Sequence, residues 1–130
     1  MPIPASWSSR LLSVLRIVAG LGFLHHGTMK FFHFPPPPPQ MSGPLNPMMM
    51  AAGTLELVGG ALLVIGLFTR PVAFVLSGMM AVAYFMAHAS KGLYPALNGG
   101  EAAMLYCFVF LYLAAAGGGV WSIDAQRGEP

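Results

Sequence analysis

Residues 48–68 read MMMAAGTLELVGGALLVIGLF, an apolar run interrupted by a single carboxylate, Glu56. A helix of about 20 residues crosses the hydrocarbon core of a bilayer, and this run has that length. It does not alternate polar and apolar residues, so a barrel strand is excluded. A carboxylate in hydrocarbon costs about 2.5–3.5 kcal/mol on insertion scales, so Glu56 needs a partner or a proton. Gly53 and Gly60 stand three residues before it and four after it, on the same helical face. Small residues beside a polar one mark a close helix–helix contact in lipid. The stretch therefore reads as a spanning helix whose Glu56 face turns toward a neighbour.

Three further apolar segments flank it: Leu11 to Phe32, Val72 to Ala89 and Ala102 to Ala116. Helices are expected over roughly 10–33, 48–68, 71–90 and 100–117 of one domain, residues 1–130. The fold class expected is an all-α membrane protein, an antiparallel four-transmembrane-helix bundle. Composition agrees: only 8% of residues are charged and 56% are hydrophobic, too little charge to cover a soluble surface. The third and fourth segments are short and need interfacial residues such as Glu101 and Trp121 to complete them. The first continues apolar to Phe34 with no small-x-small cleavage site behind it, so it reads as a span and not a signal peptide. A net charge of +2 with scattered basic residues gives no nucleic-acid footprint. Cys107 stands alone and reads as a small core residue.

An even number of spans puts both ends on one side. Arg10, Arg16, Arg70 and Arg127 fall on that side, Lys30 and Lys91 on the other. The positive-inside rule then places both termini in the cytoplasm. The first outer loop carries Pro35 to Pro39, which cannot be helical and favours polyproline II. Thr69-Arg70-Pro71 is expected to form the short turn between the second and third helices.

Helical spacing sorts the polar residues. Arg16, Gly20, Phe23, Gly27 and Lys30 form one stripe on the first helix, bordered by His26. Tyr84 and His88 share a face of the third helix, and Glu101 opens the fourth. His26, Lys30, Glu56, Tyr84, His88 and Glu101 fall in the outer half of their helices and form the expected ligand-binding or polar cluster. Lys30 and Glu56 are expected to be linked. Alternatives stand beside this: Lys30 can snorkel to the interface, Glu56 can be a packing acid, and Asn98 with Glu101 has the capping-box spacing. Gly20, Gly27, Gly53 and Gly60 are the expected helix-packing residues. No spaced pair of ligands marks a metal face and no haem-attachment motif is present, so neither metal nor haem is expected. No nucleophile–base set is visible, so no catalytic residue is assigned and an enzyme acting alone is the least supported reading.

The chain resembles the DoxX family of small four-helix membrane proteins. The resemblance runs from Arg16 to Asp124. It rests on His26-Gly27-Thr28-Met29-Lys30-Phe31-Phe32, then Glu56-Leu57-Val58-Gly59-Gly60 and Gly66-Leu67-Phe68-Thr69-Arg70. It ends on Asn98-Gly99-Gly100-Glu101 and Gly117-Gly118-Gly119-Val120-Trp121-Ser122-Ile123-Asp124. Two features depart from the family pattern: the five-proline run, and Gly118 where a proline is usual. The resemblance implies a bacterial inner-membrane protein acting as an accessory or scaffolding subunit of a respiratory or redox-defence assembly, linked to quinone, oxidative or sulfur chemistry. It would work as a homo-oligomer or within a larger membrane complex. Two other readings are a quinone- or small-molecule-binding protein with its site in the outer half of the bundle, and a proton, ion or small-solute transporter.

Overall fold

The computed structural model describes residues 2–129, and among these every regular element is helical. The main helices are α1 (Ser8–Phe32), α2 (Pro47–Ile65), α3 (Thr69–Ala87), the single-turn α4 (Pro95–Asn98), α5 (Glu101–Ala116) and the short α6 (Ile123–Gln126). Three stretches are long and apolar enough to cross a membrane: Ala5–Phe32, Pro47–Ile65 and Thr69–Lys91. The fourth apolar helix, α5, has 16 residues and falls short of that length.

Local chemistry sets the boundaries. Asn46 caps α2 by accepting the Met49 N–H at 2.8 Å, and Pro47 occupies the first turn, where its missing N–H costs nothing. The expected helix to residue 68 stops at Ile65 because Gly66 takes a left-handed conformation, φ 72°. The turn to α3 is therefore Gly66-Leu67-Phe68, and Thr69, Arg70 and Pro71 lie inside the first turn of α3. The chain leaves α1 through His33, also left-handed, and enters the proline run.

The chain forms two compact units. The first comprises residues up to Phe68 together with those from Gly118 onward; the second is Thr69–Gly117. In the first, α1 and α2 pack antiparallel on their glycines. A Cβ on Gly20 would meet Gly60 and Leu63, one on Gly27 would lie 2.8 Å from Leu57 Cγ, and one on Gly53 2.6 Å from Phe31 Cε2. The backbones touch where only hydrogen fits, which is how helices gain contact in lipid. Val18, Leu21 and Val58 on the other faces are exposed, as suits lipid-facing positions.

The C-terminal segment returns to the end of this hairpin where α1 begins and α2 finishes. Arg16 is fully buried there. Its Nε donates to Leu63 O at 2.8 Å, its Nη2 to Trp121 O at 2.7 Å and its Nη1 to Gly118 O. Ser13 Oγ donates to Gly118 O and accepts the Trp121 N–H. Asp124, also buried, accepts the Phe68 N–H at 2.9 Å, and its own N–H donates to Gly66 O. Phe68 is a non-glycine residue at φ 53°, a conformation that L side chains adopt at a cost. The Asp124 bond holds it there.

In the second unit α3 and α5 pack antiparallel. Arg70 Nη1 donates to Ala115 O at one end, Ser77 Oγ to Cys107 O in the middle, and Tyr84 and His88 crowd Gly100 at the other end. Ala73, Leu76, Phe110 and Leu113 are its most deeply buried apolar residues.

Candidate functional site

The polar residues singled out in the sequence fall into two sets, one in each unit. In the first unit the α1–α2 contact brings Lys30, near the end of α1, beside Glu56, three turns into α2. Lys30 Nζ lies 2.7 Å from Glu56 Oε1, with side-chain exposures of 11% and 7%. The four packing glycines make this possible. Gly27 and Gly53 lie one turn from the pair on either helix, and with side chains there the axes would stand too far apart for a direct bond. Lys30 therefore turns inward at the end of its helix, and the alternative of snorkelling outward is not the geometry found. His26 is half-buried one turn before Lys30, its ring 4.4 Å from that of the exposed His25.

A cleft of about 410 Å³ opens beside Lys30. Phe31, Pro44, Leu45 and Met50 supply apolar wall, and His33, Ser42 and Gly43 line the rest. The loop behind the proline run thus forms one side of this space. The space is an open groove and not an enclosed cavity. An ammonium has three donors. One is used on Glu56.

In the second unit Tyr84 and His88 meet at Asn98, a residue that sequence reading treated only as a helix cap. Asn98 is buried. Its Nδ2 donates to Tyr84 Oη at 3.0 Å and to Gly92 O at 3.1 Å, and its Oδ1 accepts the Gly100 N–H at 2.8 Å. His88 Nδ1 lies 3.3 Å from Asn98 O. The capping-box expectation is corrected here: Gly100 is the N-cap of α5, and Asn98 closes α4 with its side chain turned back. Glu101 differs as well. It is exposed in the first turn of α5, and its side chain forms no ion pair or hydrogen bond among the described residues. An acid at that position interacts favourably with the helix dipole without any partner.

Sequence reading missed Arg16 and Asp124. Arg16 stood on the same stripe as Lys30 but was accounted for by the charge rule for topology. The signal that could have found Asp124 was the C-terminal motif itself, whose Ser122 and Asp124 are both buried. Among the described residues no group of three or more His, Cys, Asp or Glu is placed to hold a metal ion.

Comparison with known proteins agrees with the resemblance drawn from the motifs. The chain is 47% identical over 117 residues to an uncharacterized protein of Haemophilus influenzae, with 87% of each chain covered. No solved structure matches it. The DoxX family profile matches residues 11–89, a span containing both Lys30 and Glu56. The chain is a membrane protein of the DoxX family.

Proposed function

We propose that this protein is an accessory subunit of a respiratory or redox-defence assembly in the bacterial inner membrane, and that it contributes a quinone-binding cleft beside the Lys30–Glu56 pair. The observation that carries the reading is the cleft itself, with a part-buried, acid-anchored ammonium on an otherwise largely apolar wall. A quinone needs a donor at a ring carbonyl and apolar walls for its ring and tail. Lys30 is the donor; Phe31, Leu45 and Met50 are the walls. Glu56 fixes the ammonium in place and balances its charge in lipid. Of the other residues expected in the polar cluster, His26 belongs to the first unit with the pair, and Tyr84, His88 and Glu101 belong to the second. The accessory role draws on family membership.

Purification in mild detergent tests both halves. The expected result is co-purifying membrane subunits and quinone in the organic extract of the preparation. A protein that runs alone or as a simple homodimer counts against the assembly, and an extract free of quinone counts against the cleft.

The fold proposed for this role is a four-helix antiparallel bundle with α5 as the fourth span and both termini cytoplasmic. The four-to-two distribution of basic residues supports that orientation. A thiol introduced by Ser42→Cys is expected to react with an impermeant reagent from the periplasmic side, and labelling from the cytoplasm would overturn the topology.

A further inference from the structure

The connection between α3 and α5 carries three large apolar side chains in the open. Leu93 is 81% exposed, Tyr94 64% and Leu97 83%. They do not sit on a spanning helix, where exposure to lipid is ordinary. They sit on a loop, and the loop is built to hold them out. Asn98 Nδ2 bonds Gly92 O across its base, and both Leu97 N–H and Asn98 N–H donate to Tyr94 O. Pro95 starts the single turn of α4 inside it. The same Asn98 is tied to Tyr84 Oη and to Gly100 N–H, so the loop is fastened to α3 and to the start of α5. A clasp of this kind lowers the entropy lost when the loop engages a surface.

The geometry of the second unit gives the depth of the loop. Arg70, exposed and bonded to Ala115 O, marks one edge of the apolar helical pair. From Arg70 to His88 the helix rises about 27 Å at ~1.5 Å per residue. The hydrocarbon core is about 30 Å thick. The loop beyond His88 therefore lies at the opposite face of the bilayer. With 16 residues, α5 reaches only about 24 Å and leaves that face short of apolar cover. Lys91 stands at the edge of the loop, exposed, and Tyr94 is a residue type that concentrates at the lipid–water boundary.

We infer that the clasped loop Gly92–Asn98 is an interfacial membrane anchor, inserting Leu93, Tyr94 and Leu97 among the lipid headgroups and upper acyl chains, with Lys91 reaching the phosphates. The anchor completes the short α5 end of the second unit. It rests on the reading that α3 and α5 lie in the membrane, and it is independent of any quinone site.

The test places a nitroxide on Leu93→Cys and, separately, on Leu97→Cys in a Cys107→Ala background, in vesicles of phosphatidylethanolamine and phosphatidylglycerol. Collision with oxygen, which concentrates in lipid, is compared with collision with a water-soluble nickel chelate, using Gln40→Cys as the reference in water. Both labels are expected to collide with oxygen several-fold more than with nickel, relative to the reference. Nickel accessibility equal to that of Gln40→Cys would overturn the anchor. Protection from both reagents would overturn it equally, because a second copy or another protein would then cover the loop.

Discussion

Replacing Arg16 by methionine is expected to be the most damaging single change in the chain. The side chain is fully buried and donates to three backbone carbonyls, those of Leu63, Gly118 and Trp121. Methionine fills much of the volume but removes the donors to all three carbonyls, leaving Gly118 O with Ser13 Oγ and Leu63 O with the Gly66 N–H, while Trp121 O loses its guanidinium donor. It also leaves Asp124, whose charge acts on Arg16, without that cation nearby. A hydrogen bond to a charged group contributes about 1.5–3 kcal/mol, less where the carbonyl keeps another donor. A loss of about 3–5 kcal/mol over the three bonds removes a large part of the stability of a small protein. Thermal unfolding in detergent should show a much lower midpoint, with early proteolysis of the C-terminal segment. Arg16→Lys should fall between, because an ammonium cannot reproduce the planar fork that spans three carbonyls. A methionine variant with the wild-type midpoint would show that the C-terminal return is held by other contacts.

Gly60→Leu is expected to pry α1 from α2. A Cβ at Gly60 would lie 2.8 Å from Leu24 N and 2.9 Å from its Cα. Those atoms are backbone and cannot rotate away. Overpacking of this kind costs about 1–3 kcal/mol or more, and here it also stretches the Lys30–Glu56 bond. The variant should express poorly or unfold early. Gly78→Ala is the matched control: nothing lies within 4 Å of its Cβ, and a mid-helix glycine gains about 0.5–1 kcal/mol on becoming alanine. Equal stability of Gly60→Leu and Gly78→Ala would mean that the glycine contact between α1 and α2 is not the packing surface.

The helical class and its membrane setting were legible from hydropathy alone, since the second apolar run leaves no other solvent for its length. Glu56 was legible as well, because one carboxylate in that run needs a reason and the flanking glycines point to a face. Arg16 was not. An arginine near the start of a spanning helix has a sufficient explanation in topology. What distinguishes it is a segment more than a hundred residues away that folds back over it. Asn98 misled for a different reason. Its spacing to Glu101 satisfies the capping-box pattern, but Gly99 takes φ 79° and breaks the helix before the pattern can form. The freed amide then clasps Gly92 and Tyr84, partners that no local rule names. The turn after α2 was placed one helical turn too late, because Gly66 sits inside a run that is apolar to Phe68 and periodicity does not register a left-handed residue.

The central claim is that Lys30, anchored by Glu56, is the polar contact of a quinone site, and a titration of a soluble quinone analogue into nanodisc-embedded protein tests it most directly. Wild type should bind saturably. Lys30→Met should bind about 10- to 100-fold more weakly, the equivalent of one charge-assisted hydrogen bond. Glu56→Gln should lose less, since the amide can still orient the ammonium, and the double variant should bind no worse than Lys30→Met alone because Glu56 acts through Lys30. Equal affinity across wild type, both single variants and the double variant would contradict the account.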